Sequence, residues 1–315
     1  MFPKSVTSIR TLLNTFPTEQ SCIEHLEKIR WKGNVVSPFV PSAPAWKCKD
    51  GNRYICSKTR KYFTVRTGSI YEKTKVPLRD WFVAIWLMNN HKRGISSIQL
   101  SKEIGVTVKT AWFMASKIRR SFKIPDEEMA GTTTQQVFEA DECVFGGLQA
   151  NRHKDKKIPN SQGGHGIDKT WVLGIVERGG LLRTFMLQAR KPEYVQSIVR
   201  NVVPEGSIFI TDSWRGYNGL DDKYIHFKVK NGEKLSEGRP REINTNCIEG
   251  LWANMKRGYI GTYNWWSKKH LNSYLNEFTF GYNTRKWKED KRFFVFLQNV
   301  FERITQRDII DKAWT

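Results

Sequence analysis

Three acidic residues, far apart along the chain, stand in segments whose patterns predict two strands and a helix. Asp141 lies within the alternating segment QVFEADECVFGG, and Asp212 ends the apolar run GSIFITD. Glu249 begins a series in which Trp252 and Lys256 follow after three and seven residues. This spacing places Glu249, Trp252 and Lys256 on one face of a helix. We expect the three carboxylates to converge in the folded chain.

Converging carboxylates suit divalent metal ions, because hard cations prefer oxygen ligands to thiol or imidazole. Two such ions about 4 Å apart can activate an attacking oxygen and stabilise a leaving oxygen in phosphodiester transfer. We predict two Mg2+ ions per active site, with Mn2+ able to substitute. Asp141 is expected to bridge both ions, Asp212 to hold one and Glu249 the other. The amide of Asn246 is the fallback ligand.

The elements that carry these acids follow the order found in ribonuclease-H-like folds. The patterns predict strand, strand, strand, helix and strand, followed by the helix with Glu249. In such folds the first acid lies on the first strand, the second at the end of the fourth, and the third on a helix beside them. Glu139 shares the strand face of Asp141 and Glu142 points away, and either is compatible with a surface charge. The predicted fold class is α/β with a ribonuclease-H-like core.

The charge of the chain points to nucleic acid. The formal net charge is +21, and residues 1–125 hold 23 lysines and arginines against seven aspartates and glutamates. A segment this cationic indicates a polyanionic partner, most commonly nucleic acid. The alternative is that the chain itself is a ribosome-associated or membrane-surface protein. Five scattered cysteines indicate a reducing compartment, and no apolar run approaches the roughly 20 residues of a membrane span. We predict a cytoplasmic, nucleoid-associated protein.

Residues 94–122 have the spacing of a helix-turn-helix. Leu100 and Ile104 lie one turn apart, Gly105 permits a tight turn, and Thr107 can cap the second helix. A structural helical hairpin would give similar spacing, but the cationic setting favours DNA binding. The residues expected to reach base edges are Thr107, Lys109 and Thr110, and those expected to contact phosphates are Lys117, Arg119 and Arg120.

Further DNA contacts are predicted around the acids. Residues 148–170 form a long, basic, glycine-rich segment typical of a DNA-contacting loop. The helix face beyond Glu249 is where a substrate phosphate would lie. The contacts predicted there are Lys256 and Arg257 on the helix and Arg152 and Lys154 in the loop. Metal chemistry leaves no need for a dedicated base, so His165 and His226 receive no catalytic role.

Residues 31–66 have the outline of a zinc ribbon that lacks its ligands. Short strands and an Asp-Gly turn are present, but the first knuckle position reads Ser-Pro-Phe-Val at residues 37–40. At the second knuckle Cys56 is followed by Thr59, and Cys48 is only a spare thiol. One thiol cannot form a tetrahedral structural site, so no zinc is expected. We predict a degenerate module held by its aromatic residues.

These features divide the chain into five predicted segments. They are an N-terminal helix with the ribbon-like module (1–66), a helix-turn-helix domain (67–125), a linker (126–135), a catalytic domain (136–288) and a C-terminal helical tail (289–315). The tail is amphipathic, which leaves two options open: it closes the core, or it pairs with a second copy of the chain.

Several motifs, in order along most of the chain, resemble those of one family. DECVFGG, GIVERGG, TDSWRGY and NTNCIEGLWANMKRGYIGTY followed by KKHLNSYLNEFTFGYNTR are similar to the DDE transposases of ISXO2-like insertion sequences, relatives of the eukaryotic Merlin elements. The resemblance implies that Asp141, Asp212 and Glu249 are the catalytic acids and Lys256 the lysine that follows them. Some subgroups use Asn or His as the third residue, which is why Asn246 is kept as the fallback.

The resemblance also implies an activity and partners. Such enzymes use Mg2+ to cleave the terminal inverted repeats of their element and to join the 3′-OH ends to target DNA. Double-stranded DNA is then the partner, and a homodimer is expected in the synaptic complex because two ends are handled together. Two alternatives are a helix-turn-helix regulator with an inactive ribonuclease-H-like domain and a branched-DNA nuclease of the same fold.

Overall fold

The computed structural model describes residues 6–124, 136–147, 154–156, 169–229 and 243–310. The chain folds as two units, one formed by residues 1–124 together with 284–315 and the other by residues 125–283. Across the described ranges, every helix falls short of the length and apolarity that crossing a bilayer requires.

The first unit opens with two helices where the sequence predicts one helix over residues 9–30. The first elements are α1 (Ile9–Thr15), α2 (Glu19–Trp31), β1 (Ala45–Lys47), β2 (Tyr54–Cys56) and β3 (Tyr62–Phe63). Pro17 separates the helices, because it lacks an amide hydrogen and restricts the residue before it. The hydroxyl of Thr18 then caps α2 by accepting the Ser21 N–H at 3.2 Å. The prediction of a single helix is wrong for this reason.

Strands β1, β2 and β3 form an antiparallel sheet whose stability rests on aromatic packing. The rings of Trp31 and Tyr54 lie 5.0 Å apart, and those of Tyr54 and Phe63 stack at 5.7 Å. Where a first zinc knuckle would lie, the buried Ser37 hydroxyl accepts backbone N–H groups. Hydrogen bonds from Ser37 and Thr59 lower the pKa of the Cys56 thiol to about 7. The identity of this module as a degenerate zinc ribbon stays a prediction.

Three helices complete the N-terminal part of the first unit. They are α3 (Leu78–Asn90), α4 (Ser97–Ile104) and α5 (Val108–Arg120). Gly105 ends α4 with φ +67°, a conformation that glycine adopts without strain, and Thr107 caps α5 by accepting the Thr110 N–H at 3.2 Å. Helices α4 and α5 lie where the sequence predicts a helix-turn-helix, and their use in DNA binding stays a prediction.

The basic end of α5 lies inside the first unit. Lys117, Arg119 and Arg120 are 8%, 2% and 2% exposed, although the sequence predicts that they contact phosphates. Their side chains donate to the backbone carbonyls of Ile70, Ile95 and Asp308 respectively. Burial lowers the pKa of Lys117 and of Arg120. These three cations therefore anchor backbone instead of meeting DNA, which corrects that prediction.

The second unit is a mixed α/β structure, which confirms the predicted class. Its elements are β4 (Val137–Phe145), β5 (Thr170–Glu177), β6 (Leu182–Leu187), α6 (Pro192–Val202), β7 (Ile208–Asp212), β8 (Ile225–Val229), α7 (Asn246–Gly258) and α8 (Leu271–Asn283). The five strands lie in the order β6-β5-β4-β7-β8. Strands β4, β5 and β6 pair antiparallel, while β7 and β8 run parallel to β4. This agrees with the element order of the ribonuclease-H-like prediction, with β8 as an unpredicted strand.

Each face of this sheet is covered by a hydrophobic cluster. On one face, Ile248 and Trp252 of α7 pack with Leu275 of α8. On the other, Val195 and Val199 of α6 pack with residues that include Phe138 and Phe209. Because side chains alternate along a strand, β4 contributes to both clusters and is the central strand of the unit.

The close approach of α7 to the sheet depends on a glycine. Gly174 on β5 is the cross-strand partner of Asp141. A Cβ at this position would lie 2.6 Å from a ring carbon of Trp252 and 2.7 Å from Ile248 Cδ1. Both side chains are buried, so they have little room to move. The missing side chain at Gly174 thus lets α7 lie directly over the strand that pairs with Asp141.

We expect Gly174→Ala to lower the free energy of unfolding by about 1–3 kcal/mol, because the added methyl overpacks a filled interior. Gly250→Ala is the matched control, since a Cβ there meets no atom within 4 Å and lies in the middle of α7. The control should gain about 0.5–1 kcal/mol from helix propensity. Urea denaturation of both variants measures the difference, and equal stabilities would contradict the packing argument.

The C-terminal helices α9 (Glu289–Gln298) and α10 (Gln306–Ile310) belong to the first unit. The ring of Phe293 on α9 contacts Phe82 of α3 at 5.7 Å, and Arg292 donates to the Asn89 carbonyl at 2.9 Å. Of the two options for the tail, core closure is the one observed, and the core that it closes is that of the N-terminal unit.

Candidate active site

Asp141 and Asp212 lie side by side on neighbouring strands. In the parallel pairing of β4 with β7, Ala140 is the partner of Thr211. The residues that follow, Asp141 and Asp212, therefore occupy adjacent positions where the two strands run on. Asp212 is held in place because its Oδ1 accepts the Trp214 N–H at 3.0 Å.

Glu249 approaches the same position from α7. The pKa of Asp141 is raised from 3.8 to about 7, mainly by burial and in addition by the charges of Glu142, Asp212 and Glu249. Two acids remote in sequence thus act electrostatically on Asp141. Lys256, two turns after Glu249, interacts with the Cys143 thiol, which lies on the same face of β4 as Asp141. Helix α7 therefore runs along β4 with its acid and its lysine on the side of Asp141.

The three acids share one region but do not close into a ligand set. Glu249 is exposed, and its Oε1 accepts a hydrogen bond from the Thr245 hydroxyl at 2.7 Å. Within the described ranges, no group of three or more His, Cys, Asp or Glu side chains is arranged so that it could hold a metal ion. Asp212 and Glu249 both act on the pKa of Asp141, and the convergence of the three carboxylates on a metal ion stays a prediction.

A buried carboxylate fixes the helix that carries Glu249. Glu139, with a fully buried side chain, accepts the backbone N–H groups of Cys247 at 2.9 Å and Ile248 at 3.1 Å through Oε2. These are the amides that a capping side chain normally satisfies, yet Thr245 at the N-cap makes no such bond. Arg178 donates to Glu139 Oε1 at 2.6 Å. Glu139 thus caps α7 from the neighbouring strand.

Arg178 extends this anchor to the segment before α7. Its Nη2 donates to the Asn244 carbonyl at 2.8 Å, while its Nε bonds Glu139. The start of α7 is thereby bound to β4 and to the end of β5. From its sequence position Glu139 is compatible with a surface charge, and the full burial of its side chain contradicts that interpretation. Apolar residues on both faces of the strand, which indicate that both faces are covered, were the signal that could have identified a buried glutamate.

We expect Glu139→Ala to lower the free energy of unfolding by about 3 kcal/mol or more, because it leaves a partly buried guanidinium and two helix amides without their acceptor. Glu193→Ala, at an exposed position in the first turn of α6, is the control and should change stability by less than about 0.5 kcal/mol. Denaturant unfolding reports both values. A loss no larger than the control's would show that Glu139 does not anchor the helix.

Glu142, on the opposite face of β4, is the second acid whose burial the sequence did not reveal. Arg190 donates to its Oε2 through Nε at 3.1 Å and Nη2 at 2.8 Å, and the Tyr217 hydroxyl bonds Oε1. The Arg190 guanidinium lies 4.7 Å from the Trp171 ring and 4.2 Å from the Trp214 ring. This cluster ties β4 to the segment after Asp212.

The remaining predicted residues fall into three groups. Exposed positions that suit DNA contact are Thr107, Lys109, Lys154, Lys256 and Arg257, with Thr110 half-buried. Asn246, the fallback ligand, is exposed at the first position of α7, where its N–H donates to Asn244 Oδ1 at 3.1 Å. His226 contacts the Thr211 hydroxyl at 2.9 Å, and burial lowers its pKa. Arg152 and His165 lie outside the described residues.

Comparison with known proteins gives a family and two relatives. Residues 133–283 match the model of the ISXO2-like transposase domain. A protein in the transposable element ISH50 of Halobacterium salinarum is 23% identical over 273 residues, which cover 84% of this chain and 91% of the relative. A transposase-like protein of Haemophilus influenzae is 30% identical over 95 residues, covering 29% of this chain and 72% of the relative.

Two solved structures of another transposase also align with the chain. The Mos1 strand transfer complex gives a TM-score of 0.29 at 9% identity, covering 71% of this chain and 79% of that one. A pre-cleavage Mos1 transpososome gives 0.28 at 10% identity, covering 94% and 98%. TM-scores this low support no inference about the present chain.

The second unit is an α/β structure in which an acid on a neighbouring strand and an acid on a helix both raise the pKa of Asp141. The chain belongs to the ISXO2-like transposase family.

Proposed function

We propose that the chain is a DNA transposase that binds the terminal inverted repeats of its element, cleaves the ends by metal-dependent hydrolysis and joins the 3′-OH ends to target DNA. The observation that carries the proposal is the raised pKa of Asp141, to which Asp212 and Glu249 both contribute. Carboxylates that raise each other's pKa are typical of sites that bind a cation or carry out acid–base chemistry.

The donor set fits Mg2+ by its chemistry. Three carboxylates offer the hard oxygen ligands that Mg2+ and Mn2+ require, and the repulsion that raises the pKa of Asp141 would be relieved by a divalent charge. Asp141, Asp212 and Glu249 would hold the metal, which supplies the charge that activates the attacking oxygen and stabilises the leaving oxygen. Asn246 remains the fallback for the third ligand.

The surrounding residues have assignable tasks in this proposal. Glu139 holds the start of α7 at a fixed position on β4, so that Glu249 stays near Asp141. The Trp214 N–H orients the Asp212 carboxylate. Lys256 and Arg257 lie exposed beyond Glu249, where cations can bind a substrate phosphate. The joining of two ends requires two active sites, so we carry a homodimer as part of the proposal.

We expect Asp212→Asn and Glu249→Gln each to reduce cleavage and strand transfer by at least a thousandfold, because each removes a charged oxygen ligand, while binding of end DNA stays within about threefold. Glu193→Gln, an exposed acid on α6, is the control and should retain full activity. The assay uses labelled end DNA with Mg2+ or Mn2+ and resolves cleaved ends from joined products.

The same assay separates the alternatives. Binding of end DNA without any metal-supported cleavage by the unmodified chain would identify a regulator whose second unit is inert. Cleavage of branched DNA without joined products would identify a nuclease. Full activity of Asp212→Asn would show that Asp212 is not a catalytic residue.

We expect Asp141 to make the metal-free protein less stable as pH rises. Its pKa is raised from 3.8 to about 7, so the folded protein holds a proton that the unfolded chain has already released between pH 4 and 7. Stability is lost through that window and levels off above it. The Tm difference between Asp141→Asn and wild type in EDTA should therefore grow from pH 4 to pH 7, and saturating Mg2+ at pH 8 should reduce it. A difference that does not change with pH would contradict the raised pKa.

A further inference from the structure

A cationic cleft lies within the first unit. Its volume is about 950 Å³. The floor is one side of α5 between Lys109 and Lys117, and the two walls are residues 72–76 and residues 303–307. The second wall belongs to the C-terminal segment, beyond the stretch that matches the transposase family model.

Buried cations of α5 hold both walls in place. Lys117 Nζ donates at 2.8 Å to the Ile70 carbonyl, at the base of the first wall. Arg120 Nη2 donates at 2.8 Å to the Asp308 carbonyl, at the base of the second. The Ile70 N–H donates at 2.9 Å to the carbonyl of Val300. The cleft therefore has a fixed shape, because its floor and its walls are joined through buried hydrogen bonds.

The lining of the cleft is strongly unbalanced in charge. Five exposed cations line it, namely Lys73, Lys75, Lys109, Arg303 and Arg307. Glu72 is the only acid among the lining residues. Its Oε1 forms an ion pair with Arg303 Nε at 3.0 Å, and its Oε2 accepts the Gly68 N–H at 2.8 Å. One carboxylate cannot neutralise five cations, so the cleft attracts an extended anion.

We propose that this cleft binds the phosphodiester backbone of duplex DNA, and that the C-terminal segment 303–307 is a DNA contact. Lysines and arginines on separate walls suit a chain of evenly spaced phosphates better than one compact anion. Lys109 and Thr110 belong both to the cleft and to the exposed start of α5, so a strand held in the cleft runs beside the groove that α5 would enter. The inference rests on the DNA-binding part of the proposed function and not on its metal chemistry.

The test compares two double variants that each lose one lysine and one arginine. Lys75→Gln with Arg307→Gln removes a charge from each wall. Arg10→Gln with Lys28→Gln, at exposed positions on α1 and α2, removes the same charge elsewhere in the unit. Both are made in full-length protein carrying Asp212→Asn, and binding to fluorescent end DNA is measured in EDTA by anisotropy at several salt concentrations. Thermal unfolding confirms that each variant is folded.

We expect the cleft variant to bind about tenfold more weakly near 0.1 M salt, and the slope of log Kd against log salt to fall by about 2, since each lost phosphate contact contributes about 0.9. The control should stay within about threefold with an unchanged slope. Equal losses in both variants, or an unchanged slope in the cleft variant, would overturn the inference. If the parent protein binds no duplex DNA, the proposed function itself fails, and that result is distinct from failure of the cleft.

Discussion

The candidate site depends on one buried carboxylate that joins a strand to a helix. Glu139 receives two amides from the first turn of α7 and the guanidinium of Arg178, all on the face of β4 that also carries Asp141. A helix N-terminus left without acceptors is costly, and an isolated buried carboxylate is costlier. Each group satisfies the other only when α7 starts at this point on β4. The position of Glu249 relative to Asp141 follows from that requirement.

The three acids of β4 differ in the groups that surround their carboxylates. Glu139 and Glu142 are fully buried, and each forms an ion pair with an arginine and accepts hydrogen bonds from further donors. Asp141, between them, is affected mainly by burial and by other carboxylates, which favour its protonated form. Compensated acids hold the strand in the fold, whereas an acid surrounded by like charges is poised to take up a cation. Carboxylate side chains thus serve stability and, in our proposal, catalysis within four positions of one strand.

Local sequence pattern predicted the strands of the second unit that carry Asp141 and Asp212. Alternation predicted β4, and the apolar run predicted that β7 ends on Asp212. Sequence pattern did not predict which side chains are buried when the burial depends on partners remote in the chain. The carbonyls that receive Lys117, Arg119 and Arg120 lie 47, 24 and 188 residues away along the chain. The sequence of a basic helix end is the same whether its side chains contact DNA phosphates or backbone carbonyls of the same protein.

This ambiguity changes how the charge of the N-terminal segment is interpreted. Positions 1–125 hold 23 basic and seven acidic residues, and this positive excess suggests a broad DNA-binding surface. Because α5 turns its last three cations inward, the charge that remains at the surface of that helix lies at its start. The inward cations in turn fasten residues 303–307 beside α5, which adds Arg303 and Arg307 to the same cleft. A terminal segment that the family match does not include is thereby bound to the surface where DNA is expected, so truncating it would alter the shape of the cleft as well as its charge.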